Sequence, residues 1–159
     1  MNHERHEGLE ANPDGATRPV QVGTFVIAVA VVVSIVVVSL ATAASVWDGV
    51  YTEAQATRGE ALYYQRCGAC HGPSLEGGDM TPPLVGGTFT STWNDLPLSD
   101  LFERIRITMP LNQPSTLSRQ QTADVVAFLL KANKWPAGQA ELPREIEPLK
   151  EIQIQALKP

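Results

Sequence analysis

Residues 67–71 read Cys67-Gly68-Ala69-Cys70-His71, and they use both cysteines of a 159-residue chain. C-x-x-C-H is the attachment signature of c-type haem. Two thiols three positions apart project from the same side of a helical turn, so Cys67 and Cys70 can each form a thioether with one vinyl group of a single haem. The imidazole of His71 then lies within reach of the iron as its proximal ligand. Two other chemistries share these letters. A thioredoxin-like C-x-x-C needs a βαβ setting, and no alternation of strand and helix surrounds this one. A zinc site needs further ligands, yet the other histidines, His3 and His6, belong to a polar amino-terminal stretch.

A sixth iron ligand must come from elsewhere in the chain. The three methionines are Met1, Met80 and Met109. Met109 stands in Ile107-Thr-Met-Pro110, far enough beyond His71 to wrap round the haem edge, and the proline after it favours extended backbone at Met109 itself. Met80 follows His71 closely and adjoins Pro82 and Pro83, so it is expected to fill a core gap or lie exposed on a loop. The metal site read from the residues is therefore His71 plus Met109.

Much of the 43% hydrophobic content sits at one end of the chain. From Pro19 to Trp47 there is no charged residue, and the 22 residues from Gly23 to Ala44 would make a helix roughly 33 Å long, against a hydrocarbon core of about 30 Å. Ala41-Thr-Ala43 followed by Ala44 and Ser45 has the small-residue form of a cleavage site. Residues 1–44 are accordingly an export signal, the favoured reading, or a retained membrane anchor. Either way the rest of the chain is periplasmic or otherwise extracytoplasmic, soluble after cleavage or held at the inner membrane. The formal net charge is −5, and removing Arg5, Arg18, Glu4, Glu7, Glu10 and Asp14 with the first 44 residues leaves −3. There is no basic stripe, which excludes nucleic acid as a partner class.

Three helices are expected beyond the apolar run. Thr52-Glu-Ala-Gln55 and Thr57-Arg-Gly-Glu60 both fit a capping box before a helix ending near Arg66, with Ala56, Gly59 and Tyr63 on one face. A glycine inside a helix costs about 1 kcal/mol relative to alanine, so Gly59 predicts the close approach of another helix. Ser118-Arg-Gln-Gln121 caps a helix to about Asn133, with Val125, Phe128, Leu129 and Ala132 as its apolar stripe. A shorter helix runs from about Asp100 to Ile107 behind Ser99, and Gly72 to Thr92 reads as an ordered loop. No convincing strand is found. The expected organisation is a linker over 45–56, a haem domain over 57–135 and a proline-punctuated tail over 136–159 that wraps the surface or is mobile. A domain of about 80 residues is marginal as a protein-only core, so the covalently held haem is expected to supply missing apolar bulk and the apo-protein to fold poorly.

The order of these elements resembles the class I monohaem cytochrome c family over roughly residues 52–135. It runs through an amino-terminal helix, Cys67-Gly-Ala-Cys-His71, Pro82-Pro-Leu-Val-Gly86, a middle helix, Met109-Pro110 and a carboxy-terminal helix with Ala127-Phe-Leu129. The wording of Trp47-Asp-Gly-Val-Tyr51 and Pro82-Pro-Leu-Val-Gly86 is also similar to bacterial periplasmic cytochromes found beside, or fused to, quinoprotein dehydrogenases. The resemblance implies an all-α cytochrome c fold of three to four helices around one covalently attached haem c, here preceded by an N-terminal hydrophobic helix. It implies axial ligation by His71 and Met109, a Pro82 carbonyl facing the other ring nitrogen of His71, and Leu84 packed on the haem. Trp93 either lines the haem or reaches a propionate, or is a buried core tryptophan. Gly59 and Tyr63 would cross Val125 and Phe128.

The function expected on these grounds is one-electron transport by a protein that is not itself an enzyme. It would take electrons from a dehydrogenase, of the quinoprotein type by the resemblance, or from a respiratory complex, and deliver them to a terminal oxidase or other acceptor. A membrane-anchored haem subunit of a larger redox complex is the alternative, and a haem peroxidase, which needs an open sixth position, is a more distant one.

Overall fold

A computed structural model describes residues 44–159. The apolar run proposed as signal or anchor lies outside the described residues, save Ala44. Among the described residues no helix is long and apolar enough to cross a membrane.

Two crossing helices form the frame. α1 (Glu53–Arg66) begins at Thr52, whose hydroxyl accepts from Gln55 N–H at 3.1 Å. Thr57, the other expected cap, lies inside the helix with its hydroxyl donating back to Glu53 O. Two short helices follow, α2 (Gly68–His71) and α3 (Gly86–Trp93), and then α4 (Leu98–Thr108). α5 (Arg119–Ala132) is started by a complete capping box between Ser118 and Gln121, as its sequence predicts. Ala56, Gly59 and Tyr63 of α1 are buried with Val125, Phe128 and Leu129 of α5. Gly59 stands where a Cβ would collide with the Asp124 carbonyl and lie 3.0 Å from Phe128 Cβ. Close approach of a second helix is what a glycine at that position predicted.

Three expectations are corrected. α3 occupies part of the stretch read as a loop. Its Gly and Thr residues are weak helix formers, but Phe89 is buried, and the Thr90, Ser91 and Thr92 hydroxyls bond to carbonyls of the preceding turn. α4 begins at Leu98 rather than near Asp100, with Pro97 at its cap and Ser99 buried in its first turn, because Leu98 is drawn fully into the core. Two short strands also exist: β1 (Ala44–Ser45) pairs in parallel with β2 (Ile152–Gln153).

That pairing belongs to a larger difference. The segment expected as a linker over 45–56 is packed, with Val46 and Tyr51 buried before α1 starts. The tail over 136–159 carries a sixth helix, α6 (Ile146–Lys150), and buries Leu142, Leu149, Ile152 and Ile154. The two flanks are joined by polar contacts as well. Trp47 Nε1 and Trp135 Nε1 both donate to Gln155 O, at 2.9 and 3.0 Å, and Tyr51 Oη donates to Trp135 O at 2.7 Å. The buried Gln55 amide exchanges two hydrogen bonds with the Leu142 backbone. These apolar residues are spaced by prolines and follow no period, so each enters the core singly and leaves no amphipathic signature.

Candidate functional site

The residues of the signature sit where α1 gives way to α2. Cys67 ends α1, with its N–H donating to Tyr63 O at 2.8 Å. The next turn closes on Cys67 O, which accepts from both Cys70 N–H and His71 N–H at 3.0 Å. A single helical turn therefore carries both sulfurs, and adjacent residues at this spacing share a face. Both cysteines are free thiols, Cys67 half-buried and Cys70 exposed. Burial pushes the Cys67 thiol up, Cys70 adds to that, and Arg66 opposes it. Among the described residues no group of three or more His, Cys, Asp and Glu side chains is placed to hold a metal ion.

His71 is buried, and its Nδ1 lies 3.1 Å from Pro82 O. A carbonyl oxygen only accepts, so Nδ1 carries the proton and the lone pair is left on Nε2. That is the tautomer an iron ligand requires. The cradle around this contact is fixed on several sides. Tyr63 Oη donates to Gly72 O at 2.6 Å, while Gly77 N–H donates to His71 O and Leu84 N–H to Leu75 O, each at 2.8 Å. Burial above all, with Cys67, Glu76 and Tyr64 adding to it, pushes the Tyr63 phenol up to about 12, so it stays a donor.

Gly77 has φ +74°, and a Cβ there would lie 2.8 Å from Pro82 C and Pro83 N. Only glycine lets the chain fold back so closely on the Pro82–Pro83 segment.

Met109 ends α4 with extended backbone (φ −116°, ψ 152°), the conformation expected from the following proline, and its N–H donates to Ile105 O at 3.0 Å. Cys67, Leu84, Trp93 and Met109 are all partly buried and pack against the same hydrophobic core. Met80 is 95% exposed. Trp93 forms a tilted pair with Phe89, at 6.4 Å between ring centres.

One residue of the cradle was read in the sequence only as a helix stop. Asn133 follows α5, and its side chain reaches Leu84 O (2.9 Å), Gly86 N–H (3.0 Å) and Leu129 O (2.9 Å). The chain order does not reveal this link, because 49 positions separate Leu84 from Asn133. The residues present fit a covalently held haem: two unpaired thiols on one turn, an imidazole in the ligating tautomer, and a half-buried thioether in the loop after α4.

A protein-family model described as "Cytochrome C oxidase, cbb3-type, subunit III" matches residues 54–129. Comparison with curated proteins gives no match. Among solved structures, the sulfane dehydrogenase SoxCD from Paracoccus pantotrophus is similar at 30% identity, over 55% of this chain and 52% of that one, with a TM-score of 0.43. The match thus spans about half the length of that chain. The family match covers the signature turn, the His71–Pro82 cradle and most of α5. Over residues 54–129, just under half of its length, the chain is similar to c-type cytochrome domains, electron-transfer modules that hold a covalently bound haem c.

Proposed function

We propose that the chain is an extracytoplasmic one-electron carrier in which Cys67 and Cys70 form the thioether links and His71 Nε2 and Met109 Sδ are the axial iron ligands. The observation that carries the reading is the His71 Nδ1···Pro82 O contact at 3.1 Å, which leaves Nε2 as the free donor on the signature turn. When bound, the haem supplies a ferric/ferrous couple whose potential a thioether ligand raises relative to harder ones.

The protein's part is to hold both ligand side chains in place, so that little rearranges when an electron moves. Leu84 and Trp93 exclude water from the site. In this proposal residues 1–44 act as the export signal, and the partners are a dehydrogenase as donor, of the quinoprotein type by resemblance, and a terminal oxidase as acceptor. Contact with each partner is brief and buries an area toward the small end for protein complexes, below about 1,200 Å².

The test is optical. Oxidised wild-type protein should show a far-red sulfur-to-iron charge-transfer band that Met109→Ala abolishes. A five-coordinate spectrum in the wild type would instead favour peroxidase-like chemistry and sink the carrier reading. A second reading has its own support, since the matching family is described as an oxidase subunit and the stretch from Gly23 to Ala44 is long enough to span a bilayer. In that reading the chain stays anchored and works inside a larger redox complex. Mass spectrometry of the mature amino terminus separates the two: cleavage near Ala43 supports the diffusible carrier, an intact chain from Met1 or Asn2 the anchored subunit.

A further inference from the structure

Pro82 and Pro83 have no backbone N–H, so the stretch that offers its carbonyl to His71 has no donors of its own with which to fix itself. Its position is set by what holds each end. On the upstream side Gly78 and Thr81 exchange N–H···O bonds of 2.8 and 3.2 Å. On the downstream side Leu84 is held twice, its N–H by Leu75 O at 2.8 Å and its carbonyl by Asn133 Nδ2 at 2.9 Å. Asn133 also accepts from Gly86 N–H at 3.0 Å and donates to Leu129 O at 2.9 Å. One amide thus ties two points of the loop to the end of α5, the helix with the longest buried run in the domain. The contact it protects has little slack: at 3.1 Å the His71–Pro82 bond is near the long end of N–H···O distances, about 2.7–3.2 Å.

We infer that Asn133 is a positioning residue for the haem site, holding the Pro82 carbonyl against His71 Nδ1 through its grip on Leu84 and Gly86. The inference rests on His71 as an iron ligand and adds to that reading the lever that sets the ligand's strength. A hydrogen bond from Nδ1–H to a carbonyl makes the opposite nitrogen a better electron donor, and a better donor favours the ferric state. Loosening the loop therefore shifts the couple toward the reduced form and lets solvent reach the Nδ1 proton.

The experiment uses matured, haem-loaded protein. Asn133→Ala removes every side-chain bond. Asn133→Asp keeps an acceptor for Gly86 N–H and loses the donor to Leu84 O. Gln55→Ala serves as a stability control, because it breaks the buried Gln55–Leu142 pair and touches no part of the loop. Three quantities are read: the oxidised/reduced equilibrium against a reference couple, exchange of the His71 Nδ1 proton with solvent by NMR in the reduced state, and the thermal midpoint.

Both Asn133 variants should shift the equilibrium toward reduced by about threefold and speed proton exchange by about fivefold, the scale of one lost hydrogen bond. Gln55→Ala should lower the midpoint with neither effect. Unchanged equilibrium and exchange in the Asn133 variants overturn the inference, as does an equal shift in Gln55→Ala. Should Asn133→Ala fail to mature, Asn133→Asp decides alone. The ligand reading is checked separately in oxidised wild type. A His71 ring without paramagnetic shifts removes both readings, whereas a shifted ring with an unmoved Asn133→Asp removes only this one.

Discussion

Tyr51 shows how much one side chain outside the signature can do. Its ring is buried, and its hydroxyl donates to Trp135 O at 2.7 Å. Burial, reinforced by the Glu53 carboxylate, pushes the phenol up to about 12 from its ordinary 10.0. A folded-state pKa above the unfolded one gives stability that is fully present below about pH 10 and lost as pH rises through about 12. The native protein should lose about 2–3 kcal/mol across that window from this group, and Tyr51→Phe should show a visibly shallower decline. Urea midpoints at several alkaline pH values measure it, and equal slopes in the two proteins would refute it. Near neutral pH the same variant should cost about 1 kcal/mol, because Trp135 O is left without its donor. The sequence marked Tyr51 only as part of Trp47-Asp-Gly-Val-Tyr51 and not as buried, because its partner lies 84 positions away. Met109 and Met80 were separable in advance, because Pro110 speaks about local backbone and the extended conformation at Met109 is a local property.

Between helices, the decisive point is the crossing of α1 and α5. Alanine at position 59 would gain about 1 kcal/mol of helix propensity. Its Cβ, however, meets the Asp124 carbonyl, which is backbone and cannot swing aside. Overpacking of this kind costs about 1–3 kcal/mol or more, so Gly59→Ala should be destabilising on balance and Gly59→Val should fail to mature. A lowered denaturant midpoint for Gly59→Ala with unchanged slope is the expected record, and an unchanged or raised midpoint would contradict it. This crossing was legible because a glycine within a strongly periodic helix needs a steric reason. The start of α1 was ambiguous between Thr52 and Thr57, since both offer the same cap chemistry and only burial of Gln55 and Ala56 decides between them. α3 left no trace in its letters, because the burial of Phe89 and the grip of Asn133 on Gly86, rather than propensity, stabilise it.

The folded unit is larger than the part that carries the family pattern. Residues 54–129 contain the signature, but a domain of that size has a thin core of its own. Two additions make up the difference: the haem and the paired flanks. Leu142, Leu149, Ile152 and Ile154 are all buried. At about 1.5–3 kcal/mol each, their burial is comparable with the total stability of about 5–15 kcal/mol typical of a domain. A chain ending at Gly138 therefore keeps the whole family-matched stretch, yet it should yield little haem-loaded protein and melt well below the full chain. Replacing both Cys67 and Cys70 by alanine removes the covalent tether and leaves the flanks intact, so that protein should keep helical circular dichroism while melting broadly and early. The order of the two effects is informative. If the truncated chain melts within a few degrees of the full one, the flanks are decoration and the haem alone completes the core. If the cysteine-free chain unfolds outright while the truncated one does not, the same conclusion holds. The burial described here requires the opposite: loss of either addition is damaging, and loss of both leaves no cooperative transition.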